Sequence, residues 1–387
     1  MKTTKALFST ALAFGVGMAA LSTGHASVAV GTNSEGFLTG TIGFEHADNI
    51  FLTDTNDKSS GIFTLEPGVA VEFGTDALAV NTLTITEEFL RYTSASSQNN
   101  ELAHINYDGT YDGPPYRIST TMGFNQYARN TRDAVLPGMM VENEVFDVDL
   151  LFEWDVEGGY LGTPLTMFDL GLSYEENSYE PSAMRDRRIF SLPFNAYFPI
   201  NDALDYSIGY RYQSATLRRA PDRDGHFFNL GFRGEFSPKL NGTVRAGYIT
   251  SDIDAFGLVP SKNISGFGFE GEFDYAYSEQ VDVNVKIGND YSIAATGHTQ
   301  EALTIDLGVM AAVNDNVSLD GGLSYGNYVY KQSPRDDDYW TFTLGGKFRL
   351  NEYFDLHARY TFQDNSSNQV GASFDNNSFQ ISTSFRY

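Results

Sequence analysis

Val145-Phe146-Asp147-Val148-Asp149-Leu150-Leu151-Phe152-Glu153-Trp154-Asp155-Val156 changes character at almost every step. Phe146, Val148, Leu150, Phe152, Trp154 and Val156 are apolar, and most of the residues between them are acidic. Successive side chains of a β-strand point to opposite faces, so this period of two describes a strand with one greasy face and one charged face. The pattern recurs in both directions along the chain. It is found in Phe63-Leu65-Pro67-Val69-Val71-Phe73, in Leu204-Tyr206-Ile208-Tyr210-Tyr212, in Val281-Val283-Val285-Ile287, in Leu303-Ile305-Leu307-Val309 and in Phe354-Leu356-Ala358-Tyr360-Phe362. Thr, Ser, Gly, Asn, Asp, Glu and Arg fill the alternate positions, and no convincing 3.6-residue helical repeat appears.

The connections between these segments alternate between short and long. Gly74-Thr75-Asp76, Asp112–Pro115, Gly158–Thr163, Pro199–Ala203, Ser237–Lys239, Tyr277–Gln280, Asn314–Asn316 and Asn351–Tyr353 are short and built from turn-forming residues. Between them lie longer polar stretches, among them Ala47–Ser60, Arg129–Glu144, Ser214–Gly225, Asp290–Glu301, Lys331–Asp338 and Gln363–Asn377. This segregation predicts an all-β protein of about 18 antiparallel strands in up-and-down order, with both chain ends on the short-turn side.

A closed sheet of that size encloses a lumen too wide for side chains to fill. The polar face must then line water, and the apolar face must meet something oily outside. Closure is required in hydrocarbon, because an open edge would leave backbone groups without partners. The reading is a transmembrane β-barrel with short periplasmic turns and long extracellular loops, placing Asp57, Asp337 and Asn365 outside and Asp76 and Asp315 in the periplasm. Tyr174, Tyr206, Tyr212, Phe236, Tyr248, Tyr275, Tyr291, Tyr330 and Phe362 stand at strand ends, where aromatic belts meet the lipid headgroups.

The chain's start fits this destination. Lys2 and Lys5 precede the apolar run Ala6–Leu21 and then Gly24-His25-Ala26, the layout of a secretory signal peptide with cleavage expected after Ala26. Residues 1–26 are thus a signal peptide and residues 27–387 the barrel. Composition excludes other classes. The 23 Tyr and 30 Phe are too many for a disordered chain, and the absence of Cys rules out disulfide scaffolds and thiolate metal sites. A net charge of −25 argues against nucleic acid as a partner. At the other end Phe379, Ile381, Thr383, Phe385 and Tyr387 alternate to the last residue. That ending resembles the C-terminal signal by which bacterial outer-membrane proteins engage their assembly machinery, with Tyr387 in the place usually held by Phe.

The stretch Gly43-Phe44-Glu45-His46-Ala47-Asp48-Asn49-Ile50-Phe51-Leu52-Thr53, followed by Leu65-Glu66-Pro67-Gly68-Val69, resembles the first hairpin of the β-barrel porin 2 family. That hairpin carries an aromatic, one or two Asp/Asn residues, an apolar-aromatic pair and a Pro-Gly within the second strand. His46 and Ala47 depart from the polar turn-formers expected there. The resemblance implies an outer-membrane barrel and, because some members are encoded with exopolysaccharide-synthesis genes, a part in polysaccharide export with periplasmic export proteins as partners. Read physically, Asp48-Asn49 turn the chain while Ile50 and Phe51 bury themselves on the rim.

No catalytic or cofactor set emerges. His46, His104, His226, His298 and His357 show no metal-ligand spacing, and His104 near Asp108 and His226 after Asp224 read as solvated lumen or loop residues. Gly266-Phe267-Gly268-Phe269-Glu270-Gly271 reads as strand alternation with small inward residues. Asp54-Thr55-Asn56-Asp57 and Asp336-Asp337-Asp338 do not complete a calcium loop and read as solvated acidic loops. The expectation is a non-enzyme without metal or cofactor, in contact with outer-membrane lipid and lipopolysaccharide.

Function is carried by the lumen. With the apolar face outside, the inward set includes Asp147, Asp149, Glu153 and Asp155 as well as Arg211, Arg233, Arg245, Arg349 and Arg359, while Arg129 and Arg132 lie in the long connection Arg129–Glu144. These are the candidate lumen and constriction residues. Acids facing arginines across a constriction would set up a transverse field that admits polar solutes; alternatively, the arginines neutralise acids within the wall. The wall's acidic excess favours cations unless arginines alone line the narrowest point. The expected function is a channel for polar solutes or polysaccharide. The alternatives are a structural or surface-interaction barrel with a plugged lumen, and a hydrolase at the barrel rim.

Overall fold

The computed structural model describes residues 28–31, 33–74, 77–155, 167–257 and 260–387. The proposed signal peptide, the turn Gly158–Thr163, Val156 and Asp76 lie outside the described residues. Nineteen strands follow one another: β1 (Val28–Gly31), β2 (Ser34–Ala47), β3 (Ser60–Phe73), β4 (Ala79–Tyr92), β5 (Asn100–Gly113), β6 (Tyr116–Ala128), β7 (Glu142–Asp155), β8 (Met167–Tyr179), β9 (Arg187–Pro199) and β10 (Leu204–Leu217) in the first half. β11 (Arg223–Ser237), β12 (Leu240–Ile253), β13 (Lys262–Ser278), β14 (Val281–Ile293), β15 (Thr299–Asn314), β16 (Val317–Tyr330), β17 (Asp336–Arg349), β18 (Phe354–Ser367) and β19 (Phe374–Arg386) complete the chain. From β2 onward each strand pairs antiparallel with the next, and β19 pairs with β2 from Ser378↔Ala47 to Arg386↔Thr39. The result is a closed 18-strand barrel, with β1 folded back on the start of β2.

The short connections at one end use a repeated device. Asn201, Asn314 and Asn351 each turn the chain by accepting, on the side-chain oxygen, backbone N–H groups two and three residues ahead. These are Asx turns, which an Asn forms without help from the rest of the fold. At the same end Leu38 and Tyr387 exchange backbone hydrogen bonds, so the barrel's first and last strands meet there.

At the opposite end the connections are shorter than the polar stretches of the sequence. Ser214–Gly225 reduces to a loop at 218–222, Asp290–Glu301 to 294–298 and Lys331–Asp338 to 331–335, while 48–59 and 129–141 remain long. Beyond the lipid a strand no longer needs apolar outward residues, so the ladder continues through polar sequence. Asn263 donates to Asp252 across β12 and β13, and the Tyr212 hydroxyl donates to Asp224 across β10 and β11. Asp337 and Asn365 accordingly sit within β17 and β18, at 0% and 2% exposure, while Asp57 is exposed in a loop. The expectation of two more exposed loop residues is corrected by these longer strands.

Exposed Phe146, Leu150, Trp154, Ile208, Leu230, Phe232, Leu323 and Leu344 form the outer face. At the short-turn ends Tyr116 packs on Trp154, Phe198 on Tyr206 and Phe354 on Phe385, with ring centroids 6.0, 4.9 and 6.0 Å apart. Transmembrane barrels carry aromatic girdles of this kind where their strands meet lipid headgroups. Among the described residues no central core exists. The buried apolar clusters lie at the loop end, such as Ala47, Ile50, Phe51, Tyr92, Leu102, Ala128 and Met140, where Ile50 and Phe51 bury as their sequence suggests.

Candidate constriction and lumen

The β6–β7 loop (129–141) leaves the wall and crosses the mouth. Asn130 holds its base: the side-chain amide donates to Phe51 O at 2.9 Å and to Met139 O, and its oxygen accepts from Val141 N–H at 3.0 Å. Beyond it Arg132 reaches the opposite wall, lying 3.5 Å over the Tyr328 ring and donating to the Tyr330 hydroxyl and to Asp337 at 3.1 Å. Arg335 binds the same carboxylate at 2.6 Å. Two guanidiniums thus share one fully buried carboxylate, a unit whose members depend on each other for compensation. Arg129 takes no part in this bridge; it is exposed at the rim over the Tyr127 ring at 4.5 Å.

The β14–β15 hairpin meets this loop from the other side. The ladder between β13 and β14 runs from Ser278↔Val281 to Phe269↔Asn289 and stops there, while β14 stays paired with β15 up to Ile293↔Thr299. Past the break the end of β14 turns into the lumen. Tyr291 packs with Phe227, Ile249, Ile253 and Ile264 of the inner wall, and Ile293 packs with Ala215 and Leu217. Arg187 donates to Ile293 O, and Arg223 donates to Ser292 O and Tyr291 O. The loop tip closes on the β6–β7 loop: Ala295 N–H donates to Asp133 at 3.1 Å, and Ala295 is buried with Ala134, Val141 and Met184. In the same loop, burial holds the His298 imidazole below its ordinary value, and the Arg335 and Arg185 charges add to the effect.

Below this closure the wall carries both signs. A cavity of about 390 Å³ is lined by Arg187, Arg211, Arg223, Glu175, Glu270 and Asp290 among others. Arg211 is bridged to Glu270 at 3.0 Å and to Asp290, and Arg245 also binds Glu270, at 2.9 Å. Arg245 donates as well to the Tyr197 hydroxyl, which donates to Asp169, while Arg233 lies 3.7 Å over the Tyr197 ring and pairs with Asp205. Arg117 spans Glu153 and Asp155, Arg349 lies 3.9 Å from Asp355, and Arg359 pairs with Asp320 at 3.0 Å. Among the described residues Asp147 and Asp149 have no cationic side chain within ion-pair distance, nor do Asp108, Asp274, Asp282 and Asp306 on the same inner face.

Sequence reasoning did not find the buried unit at the mouth. Asp337 reads in sequence as part of an acidic loop, yet it alternates with Asp336 and Asp338, whose side chains face outward along β17. Arg335 stands two residues before Asp337, the spacing that puts both on one strand face, and that was the available signal. His104 lies in the lumen against Asn125 and Glu88, and His226 faces outward beside Tyr210. No group of residues suited to a metal occurs among the described residues.

This polar-lined closed sheet with a loop across its mouth has a porin-like β-barrel architecture. Residues 210–387 match the family model described as Putative beta-barrel porin 2. The porin 2 match therefore covers most of β10 and everything after it, whereas the hairpin whose sequence suggested this family, β2 and β3, lies outside the matched residues. No curated protein matches the chain. Among solved structures, Acinetobacter baumannii OccAB2 aligns over 92% of this chain and 98% of its own, with TM-score 0.50 and 11% identity. Pseudomonas aeruginosa OccK9 (OpdG) covers 92% and 99% at TM-score 0.49 and 10% identity. Pseudomonas aeruginosa OccK2 (OpdF), solved in complex with glucuronate, covers 92% and 98% at TM-score 0.48 and 9% identity. At such identities the likeness concerns the fold.

Proposed function

We propose that this barrel is an outer-membrane channel for small polar solutes and that its open passage prefers cations. The observation that carries this reading is the pairing of the inner wall. Arg117, Arg187, Arg211, Arg233, Arg245, Lys286, Lys347, Arg349, Arg359 and Arg386 each have a carboxylate within ion-pair distance. The cations of the wall are thus largely neutralised in place, and the carboxylates left over set the potential seen by a solute. A passage lined by carboxylates concentrates cations within a Debye length, about 8 Å at physiological salt. In planar bilayers under a salt gradient, the reversal potential of the refolded protein is expected to report cation preference at low salt that fades as salt rises. A clear anion preference would overturn the reading and make the mouth arginines, Arg132 and Arg335, the selecting groups.

Cargo size follows from the mouth. An exported polysaccharide, the cargo suggested by the porin 2 resemblance, would have to thread an entrance crossed by the β6–β7 and β14–β15 loops, which suits small solutes better. The same crossing supports a second reading, a barrel plugged at its outer end whose loops serve surface interactions. Absence of conductance in bilayers favours that second reading.

A further inference from the structure

We propose that the extracellular end of β14 alternates between two positions, the inward one seen here and an outward one in which the β13–β14 ladder is completed, and that the outward position opens the mouth. The functional meaning of this step rests on the channel reading; the strand movement itself does not. On the β14 side, the ladder leaves Lys262–Gly268 of β13 without partners, although the same residues are fully paired with β12. Continuing the existing register would pair Gly268 with Asp290, Phe267 with Tyr291, Gly266 with Ser292 and Ser265 with Ile293. An edge left open beside the strand that should occupy it is a template already in register.

The sequence of β14 suits both positions. Val281, Val283, Val285, Ile287, Asn289, Tyr291 and Ile293 keep one alternation, so in a completed ladder Tyr291 would join Phe267 and Tyr248 in the outer aromatic belt. In the inward position the same face of β14 packs against the inner wall. The wall is shaped to receive it by glycine: the only neighbour a Cβ at Gly266 would meet is the Tyr291 hydroxyl, at 3.1 Å, and one at Gly268 would crowd Ile249 and Phe227. At the fork the Asn289 side chain donates to Phe267 O, standing in for the first missing rung.

The inward position has a built-in counterweight. Arg223 is buried and spends its donors on Ser292 O, Tyr291 O and Gln213, with no carboxylate at ion-pair distance among the described residues. A buried charge held by neutral acceptors alone is costly, and outward movement would return it to water. Apolar packing and the Arg187 and Arg223 bonds thus favour the inward position, whereas the unformed rungs and the buried charge favour the outward one. Such opposed terms produce a bistable element.

The chain has no Cys, so paired cysteines report cleanly. Ser265→Cys with Ile293→Cys, and Gly266→Cys with Ser292→Cys, test neighbouring rows of the continued register and so cover both kinds of antiparallel pair. Under mild oxidation of the refolded full chain, disulfide formation is expected, and oxidised protein should conduct more than the same protein after reduction. Thiols that stay free in both variants would overturn the strand movement. A disulfide that leaves a conducting protein unchanged would overturn its role in opening. If disulfides form but no preparation conducts, the channel reading fails and the strand movement stands. Adding Arg187→Gln, which removes an inward bond and leaves the Arg223 charge in place, should speed disulfide formation, and an unchanged rate would remove Arg187 from the latch.

Discussion

His298 is where the mouth meets the pH of its surroundings. Its imidazole donates to or accepts from Thr296 at 3.1 Å, its ring meets Tyr330 edge-on, and burial together with Arg335 and Arg185 keeps it neutral. A His whose folded value is depressed binds its proton more readily when the loop is open. The packing it supports is therefore complete above the ordinary value of about 6.5 and is lost as pH falls through the lowered one. The protection of residues 294–298, taken as their exchange rate relative to that of an unstructured peptide at the same pH, should fall as pH drops below the ordinary imidazole value, and His298→Gln should flatten that dependence. An identical loss of protection in the variant would assign the effect to other groups. Asp337 is the second decisive residue. Replacing it with Asn leaves Arg132 and Arg335 buried without their shared charge, so the β6–β7 loop should lose its protection against protease before the barrel melts.

Strands carry the next level, and they were the most legible part of the chain. The alternation in β7 and the Asn-led turns after β9, β15 and β17 are local signals, written within a few residues and independent of the rest of the molecule. Strand ends were not legible, because outside the lipid the ladder persists through Asp224, Asp252, Asn263 and Asp338 with no apolar face to announce it. The face assignment yields a direct contrast. Leu150 is 37% exposed on the outer surface, and Leu150→Arg should destabilise the barrel by about 2–4 kcal/mol in lipid. Asp149→Asn on the inner surface should fold nearly unchanged. Urea unfolding of both variants in vesicles checks the pair, and a larger loss for Asp149→Asn would invert inside and outside.

For the whole molecule, a strand number of about 18 followed from loop segregation and closure from the need to pair every strand edge in hydrocarbon, but the shape of the mouth followed from neither. Arg132 meets Asp337, and Asp133 meets Ala295, across sequence distances that no local pattern encodes. The inner wall was partly legible: the signs of its residues are in the alternation, whereas their pairing, such as Arg211 and Arg245 on one Glu270, depends on the register between strands. Orientation remains testable on cells. Asp57→Cys in the loop at 48–59 should react with an impermeant maleimide, while Asp315→Cys in the turn after β15 should not. Labelling of Asp315→Cys alone would turn the barrel over.

The seam between β19 and β2 has a consequence in time. At its outer end Asn49 and Asp48 are clasped to Asn376 and Asn377, partners more than three hundred residues away, with Asn49 N–H donating to Asn376 Oδ1 at 3.1 Å. At its inner end the clasp is the pair of backbone hydrogen bonds between Tyr387 and Leu38. Contacts this distant in sequence cannot form early, and a sheet waiting for them exposes two bare edges. The open sheet must therefore be shielded until β19 meets β2, and loss of β19 alone should send it to degradation instead of leaving a smaller barrel.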